Sequence, residues 1–130
     1  MHKDDTYRKV FEVTDAVYEG FLAVFNDRNP LHTSDTFAQS KGFRSKVMHG
    51  NILNGFLSFM IGECLPDKNV MIHSQTIDYK KPVYLGDKLE MIAVVKDVHE
   101  SVNAVEFGFT FTNQDGVKVA KGKIQIGFLQ

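Results

Sequence analysis

Gly50-Asn51-Ile52-Leu53-Asn54-Gly55-Phe56-Leu57-Ser58-Phe59-Met60-Ile61-Gly62-Glu63-Cys64 is the stretch on which the fold turns. Ile52, Leu53, Phe56, Leu57, Phe59, Met60 and Ile61 follow a helical period but leave almost no polar face, so the segment reads as a helix buried nearly all round. Gly55 and Gly62 each cost about 1 kcal/mol relative to alanine in a helix, and their presence predicts close packing against another backbone. Pro66-Asp67 ends the element. From Val70 onward the hydrophobic period switches to two, giving candidate strands Val70–Lys80, Asp87–His99, Val102–Thr112 and Val117–Phe128. Turn signals separate them at residues 84–86, at Glu100-Ser101 and at Gln114-Asp115-Gly116. In the third strand Val105, Phe107, Phe109 and Phe111 form one apolar face. In the last, apolar parity changes between Val117/Val119 and Ile124/Ile126/Phe128, which predicts a β-bulge near Lys121-Gly122.

Upstream of the helix, residues Tyr7–Val13 alternate weakly and suggest a first strand. Thr14 reads as a helix cap with Asp15 in the first turn. Val17, Phe21, Leu22 and Phe25 fall on one helical face, and the pattern stops before Asn29-Pro30. Ser34 to Ser40 reads as a second short helix, capped by Ser34 and closed at Gly42. One strand, short helices, an apolar helix and four long strands make an α+β layout. A single antiparallel sheet curled around one buried helix accommodates every element, and that is the hotdog arrangement. The 130 residues, 43% of them hydrophobic, fit one domain over residues 1–130 with a core that needs no staples. Asp87–His99 is apolar on both faces in part (Leu89, Met91, Ile92, Ala93, Val94, Val95), so a partner subunit, and hence a homodimer, is expected.

Composition excludes several function classes. The net charge is −1, from 15 basic and 16 acidic residues mixed along the chain, so no basic stripe points to nucleic acid or a membrane surface. The single cysteine, Cys64, sits in an apolar stretch and reads as an inert thiol. The N-terminal residues lack the apolar run of a signal peptide, and Ile52–Leu65 is too short and too polar to span a bilayer. These features predict a soluble, cytoplasmic protein.

Two polar stretches carry the chemistry. Phe25-Asn26-Asp27-Arg28-Asn29-Pro30-Leu31-His32 ends a helix with a turn-forming segment that holds an Asp and a His five residues apart. By residue type alone it reads as a helix-breaking turn with a histidine packed beside it. Val47-Met48-His49-Gly50-Asn51 precedes the apolar helix, where free backbone N–H groups can receive an anion or a developing oxyanion and a glycine permits close approach. By residue type alone it is a tight turn capped by His49. Taken together, Asp27-Arg28-Asn29-Pro30-Leu31-His32, Ala38, Phe43, Val47 and His49-Gly50 closely resemble the signature of the MaoC-like family. That family includes the (R)-specific enoyl-CoA hydratases. Lys81-Pro82-Val83-Tyr84-Leu85-Gly86-Asp87 also looks like the turn that family carries between its second and third sheet strands.

The resemblance covers roughly Phe11 to Phe128 and implies reversible hydration of trans-2-enoyl thioesters, carried by CoA or an acyl carrier protein, without a cofactor. It implies that Asp27 and His32 hold and activate one water, and that the Gly50 N–H polarises the thioester carbonyl. Asn29 and His49 would support the loop. Two departures bear on substrate fit: Phe25-Asn26 stands where the family often has a small pair, and Gly55 where some members have serine. Phe56, Phe59 and Met60 are candidates for an acyl pocket or for plain core. Arg44, Lys46, Lys80 and Lys81 are candidates for the carrier's phosphates or for ordinary surface. No metal site is expected, since His2, His73 and His99 share no ligand spacing with a cysteine or carboxylate. A hotdog thioesterase and a non-catalytic acyl-thioester-binding module are the competing readings.

Overall fold

The computed structural model describes residues 1–129. Five strands form one antiparallel sheet in the order β1-β3-β4-β5-β2: β1 (Thr6–Glu12), β2 (Val70–Tyr79), β3 (Lys88–His99), β4 (Ala104–Thr112) and β5 (Lys118–Phe128). Alternation sets the inner face of this sheet. Leu89, Met91, Ala93 and Val95 of β3 and Val105, Phe107, Phe109 and Phe111 of β4 are all buried against Ile52, Leu53, Leu57, Met60 and Ile61 of the central helix. This is a hotdog fold.

The helices precede β2 in the chain. Helix α1 (Asp15–Phe25) is capped by the Thr14 side chain, which accepts from the Val17 N–H, and it ends at Asn26 in the left-handed conformation (φ 55°). Its buried residues are Tyr18 and Leu22, with Val17 and Phe21 half-buried. Phe25 shares the apolar face anticipated from the sequence yet is 67% exposed, because a cleft opens there between α1 and the central helix. One turn not legible in the sequence, α2 (Pro30–Thr33), follows at once: Asn29 caps it and proline takes its first position. Helix α3 (Asp35–Ser40) is capped by Ser34 as expected. The central helix α4 (Asn51–Phe59) runs on into a π-helical turn, Met60–Cys64.

Four expectations are corrected. The central helix is not buried all round: Asn51, Gly55, Ser58, Phe59, Gly62 and Glu63 face outward. A Cβ on Gly55 or Gly62 would meet nothing within 4 Å, so neither glycine answers to backbone packing within the chain. The parity change in β5 occurs at Val119–Ala120, where the β4 register slips between Phe111 and Thr112, while pairing through Lys121-Gly122 is regular. Gly122 has a different reason: a Cβ there would run into the Thr76 carbonyl oxygen and lie 2.7 Å from the Phe109 ring. Finally, Val102 belongs to a 3₁₀ turn (Glu100–Val102) that precedes β4.

Candidate active site

The loop after α1 is a sequence of local caps. Asp27 Oδ1 accepts the Asn29 N–H at 3.2 Å, and Asn29 Oδ1 accepts the Leu31 N–H at 2.9 Å. These Asx-type bonds turn the chain and start α2. Thr33 closes the turn from the other end, its hydroxyl donating to the carbonyls of Arg28 and Asn29. The Tyr18 hydroxyl rises from α1 to donate to the His32 carbonyl at 2.6 Å. Burial, and next the neighbouring Glu19 carboxylate, push that hydroxyl above its ordinary value of 10.

His32 is half-buried, and its Nδ1 lies 2.7 Å from the Val47 carbonyl oxygen. A carbonyl only accepts, so Nδ1 carries the hydrogen and, on the neutral ring, Nε2 keeps its lone pair. His49 is 2% exposed, and its Nε2–H donates to the Asp27 carbonyl at 2.8 Å. The two imidazoles lie against each other with centroids 4.1 Å apart and planes tilted by 30°, and Phe21 lies against His49 at 4.5 Å. The structure thus brings Asp27, Asn29, His32 and His49 together as one unit. Donor atoms of Asp27, His32 and His49 all lie within 4.8 Å of one another, a gap that one water spans with two ordinary hydrogen bonds of about 2.8 Å.

That cluster is also the one grouping of possible metal ligands among the described residues. Each histidine has one ring nitrogen hydrogen-bonded to a backbone carbonyl, which leaves the other nitrogen of each ring unspent by those bonds.

One hollow meets this unit at Asp27, and a second is lined by Val47, Met48 and Gly50. A cleft of about 760 Å³ between α1 and α4 is lined by Val17, Phe21, Phe25, Asp27, Ile52 and Phe56 among others. Phe56 also stacks on Phe11 at 4.6 Å, so it is wall and core at once, while Met60 is wholly core and Phe59 is largely exposed. A smaller hollow of about 260 Å³ opens beside Gly50, Tyr79, Lys80 and Lys81. Gly50 caps α4. The first bonds of the helical turn run from Ile52 N–H to His49 O and from Leu53 N–H to Gly50 O, which leaves the Gly50 and Asn51 N–H groups outside the ladder. The Tyr79 ring lies over Gly50, 2.9 Å from where a Cβ would stand. Its hydroxyl accepts from Asn54 Nδ2 at 3.3 Å.

Sequence reasoning missed Tyr18, Tyr79 and the Val47 carbonyl. Tyr79 sat unmarked in an alternating strand 29 residues from Gly50, and a backbone carbonyl leaves no signature in residue type. The lysines are not gathered into a cradle by ion pairs. The ion pairs among the described residues are Arg8–Glu90 and Lys68–Glu63, both exposed.

Comparison with known proteins bears on the whole of this architecture. A 3-hydroxybutyryl-CoA dehydratase of Methylorubrum extorquens is 32% identical over 87 residues, spanning 67% of this chain but only 55% of that enzyme. An (R)-specific enoyl-CoA hydratase of Aeromonas caviae is 28% identical over 103 residues, 79% of this chain and 77% of the relative. Among solved structures, the R-hydratase PhaJ1 of Pseudomonas aeruginosa superposes with a TM-score of 0.89 at 25% identity, covering all of this chain and 83% of that one. The family model described as the MaoC-like domain matches residues 2–114, from the first strand through the turn after β4. With the loop, the central helix and four of the five strands inside that match, the chain belongs to the MaoC-like domain family.

Proposed function

We propose that the protein catalyses the reversible hydration of trans-2-enoyl thioesters to (R)-3-hydroxyacyl thioesters, a hydro-lyase reaction, with Asp27 and His32 as the catalytic pair. The observation that carries this reading is the Asp27 carboxylate at the mouth of an apolar cleft, within 4.8 Å of a His32 ring whose Nδ1 is already committed to Val47. Water held between them adds its oxygen to C3 of the enoyl chain while one of its protons passes to the pair. The pair returns a proton to C2, so the elements of water are added across the double bond and nothing else is consumed. Negative charge that develops on the thioester oxygen meets the free N–H at Gly50, an interaction of the oxyanion-hole type that contributes about 3 kcal/mol. Asn29 and His49 hold the loop. Phe56 lines the way for the acyl chain, and Lys80 beside Gly50 stands where the carrier's phosphates would leave the site.

The substrate is an acyl-CoA, with an acyl-carrier-protein thioester as the other carrier. Residues 1–130 work as one domain within a cytoplasmic homodimer. No helix among the described residues is long and apolar enough to cross a membrane.

The test is turnover of a short enoyl-CoA by the wild type and by Asp27→Asn, His32→Ala and the double variant. Each single variant is expected to lose about 10²-fold or more in rate, and the double variant to be scarcely worse, because both groups grip one water. Asp27 is exposed, so its replacement leaves stability nearly unchanged. His32→Ala strands the Val47 carbonyl and costs about 1–2 kcal/mol. Release of free thiol together with an acid product that still holds the double bond would replace this reading with thioester hydrolysis.

A further inference from the structure

The turn Lys81–Asp87 contributes nothing to the chemistry described above, yet it contains Asp87, a buried acid (3% exposed). Its carboxylate has no cation within ion-pairing distance among the described residues. A buried carboxylate without a counter-charge is costly unless its oxygens are hydrogen-bonded, so its partners tell what it is for. Oδ2 accepts the Tyr84 N–H at 2.9 Å, and Oδ1 accepts Gln114 Nε2 at 2.9 Å across from the β4–β5 turn. The Asp87 N–H returns to the Tyr84 carbonyl at 3.1 Å, around Gly86 in the left-handed region (φ 89°). Tyr84 is thereby clamped through both backbone groups.

Tyr84 in turn forms an antiparallel bridge with Val47, and the Met48 N–H donates to the Val83 carbonyl at 2.8 Å. Arg44 lies over the Tyr84 ring at 4.2 Å, and its N–H donates to the Tyr84 hydroxyl at 3.3 Å. The whole 44–48 segment is thus held against residues 83–84. Its Val47 carbonyl is the group that receives His32 Nδ1–H, and its Val47 N–H holds the Leu31 carbonyl at 2.9 Å.

We infer that Asp87 is a positioning residue for His32: by holding Tyr84 it holds the Val47 carbonyl, and that carbonyl selects the tautomer in which His32 Nε2 is bare. The inference rests on the hydratase reading of His32 for its catalytic consequence, though not for its structural one. A ring freed from Val47 populates the opposite tautomer, with a hydrogen on the nitrogen that must take a proton from water. Asparagine at 87 is instructive. Its oxygen can still accept from Tyr84, but its amide group faces the Gln114 amide, donor against donor, so the clamp on Tyr84 survives while the link to the β4–β5 turn is lost.

The experiment pairs ¹⁵N imidazole spectra of the substrate-free protein with steady-state kinetics for the wild type, Asp87→Ala and Asp87→Asn. Asp87→Ala should show His32 averaging between tautomers and lose about tenfold in kcat with KM changed by less than about twofold. Asp87→Asn should melt at a lower temperature than wild type yet keep the single Nδ1–H tautomer and recover kcat. Two results overturn the inference: an unchanged His32 spectrum with full kcat in Asp87→Ala, or activity that follows melting temperature in both variants. If Asp87→Ala does not fold, Tyr84→Phe carries the test: it frees the Arg44 N–H from the Tyr84 hydroxyl, so a smaller shift of the same kind is expected, and an unchanged spectrum and kcat overturn the hold of residues 83–84 on the Val47 carbonyl. A wild type without hydratase activity would remove the catalytic reading but leave the tautomer comparison decisive for the clamp.

Discussion

Tyr18 does two jobs, its side chain buried in the core and its hydroxyl donating to the His32 carbonyl. Tyr18→Phe keeps the ring and deletes the bond, so a loss of about 1 kcal/mol is expected in chemical denaturation. The tyrosine also ties stability to alkaline pH. Burial first and then Glu19 raise its folded value above 10, so the folded state keeps a proton that the unfolded state releases. Its contribution is whole below pH 10 and disappears as pH climbs through the raised value. Wild-type stability should therefore fall more steeply above pH 10 than that of Tyr18→Phe. Gly50 makes a second residue-scale case. Its Cβ space is filled by the half-exposed Tyr79 ring, so Gly50→Ala must push that ring aside and should lower both stability and kcat/KM. Removing the obstacle should relieve it: in a Tyr79→Ala background the stability cost shrinks, a coupling of about 0.5 kcal/mol or more in a double-mutant cycle. Strict additivity would show that the contact is idle. At this scale the turn built by Asp27, Asn29 and Pro30 was legible, because caps and turns are local and written in residue type, whereas grouping Asp27 and Asn29 with His32 and His49 as a candidate site rested on the family resemblance. What the histidines bond to was not, since Val47 O and Asp27 O are backbone atoms brought near by tertiary folding.

Among the elements, the strands were read nearly to the residue because period-two alternation survives wherever one face is buried. The central helix was read correctly in place and wrongly in surroundings. Its apolar composition predicted burial on every side, but the chain covers only the face bearing Ile52, Leu53, Leu57, Met60 and Ile61. Two glycines sharpen the difference. Gly55 meets open space, so Gly55→Ala should stabilise the isolated chain by about 1 kcal/mol through helix propensity. Gly122 meets the Thr76 carbonyl and the Phe109 ring. Backbone does not step aside cheaply, so Gly122→Ala should cost about 2–3 kcal/mol. Urea titration of the two variants checks both signs. The one-turn α2 escaped notice because four residues are too few to show a period. Its only marks are Asn29 and Pro30, which read equally well as a break.

For the molecule as a whole, exposed apolar side chains are spread over several elements, and the most exposed neighbouring pair, Val24 at 73% and Phe25 at 67%, sits on α1 beside the cleft. The second face of β3 is less bare than its sequence implied. Ile92 and Val94 are half-buried among Lys96, Glu106 and Thr110. The proposed homodimer should therefore bury the α1 and α4 side. Light scattering should give twice the chain mass, and Phe25→Asp should shift it toward the monomer; a wild-type monomer at micromolar concentration would count against the assembly. The sheet order carries one more consequence, for how the chain comes to be folded. β5 pairs with β4 on one side and β2 on the other, so it is the keystone of the sheet although it is the last strand in chain order. While the chain emerges from the ribosome, β2 has no neighbour, and the apolar helix has only part of its wrapping, until residues 118–128 have been made. Completion waits on this long-range pairing, which makes folding slow to nucleate and leaves the unfinished chain dependent on protection from aggregation during synthesis.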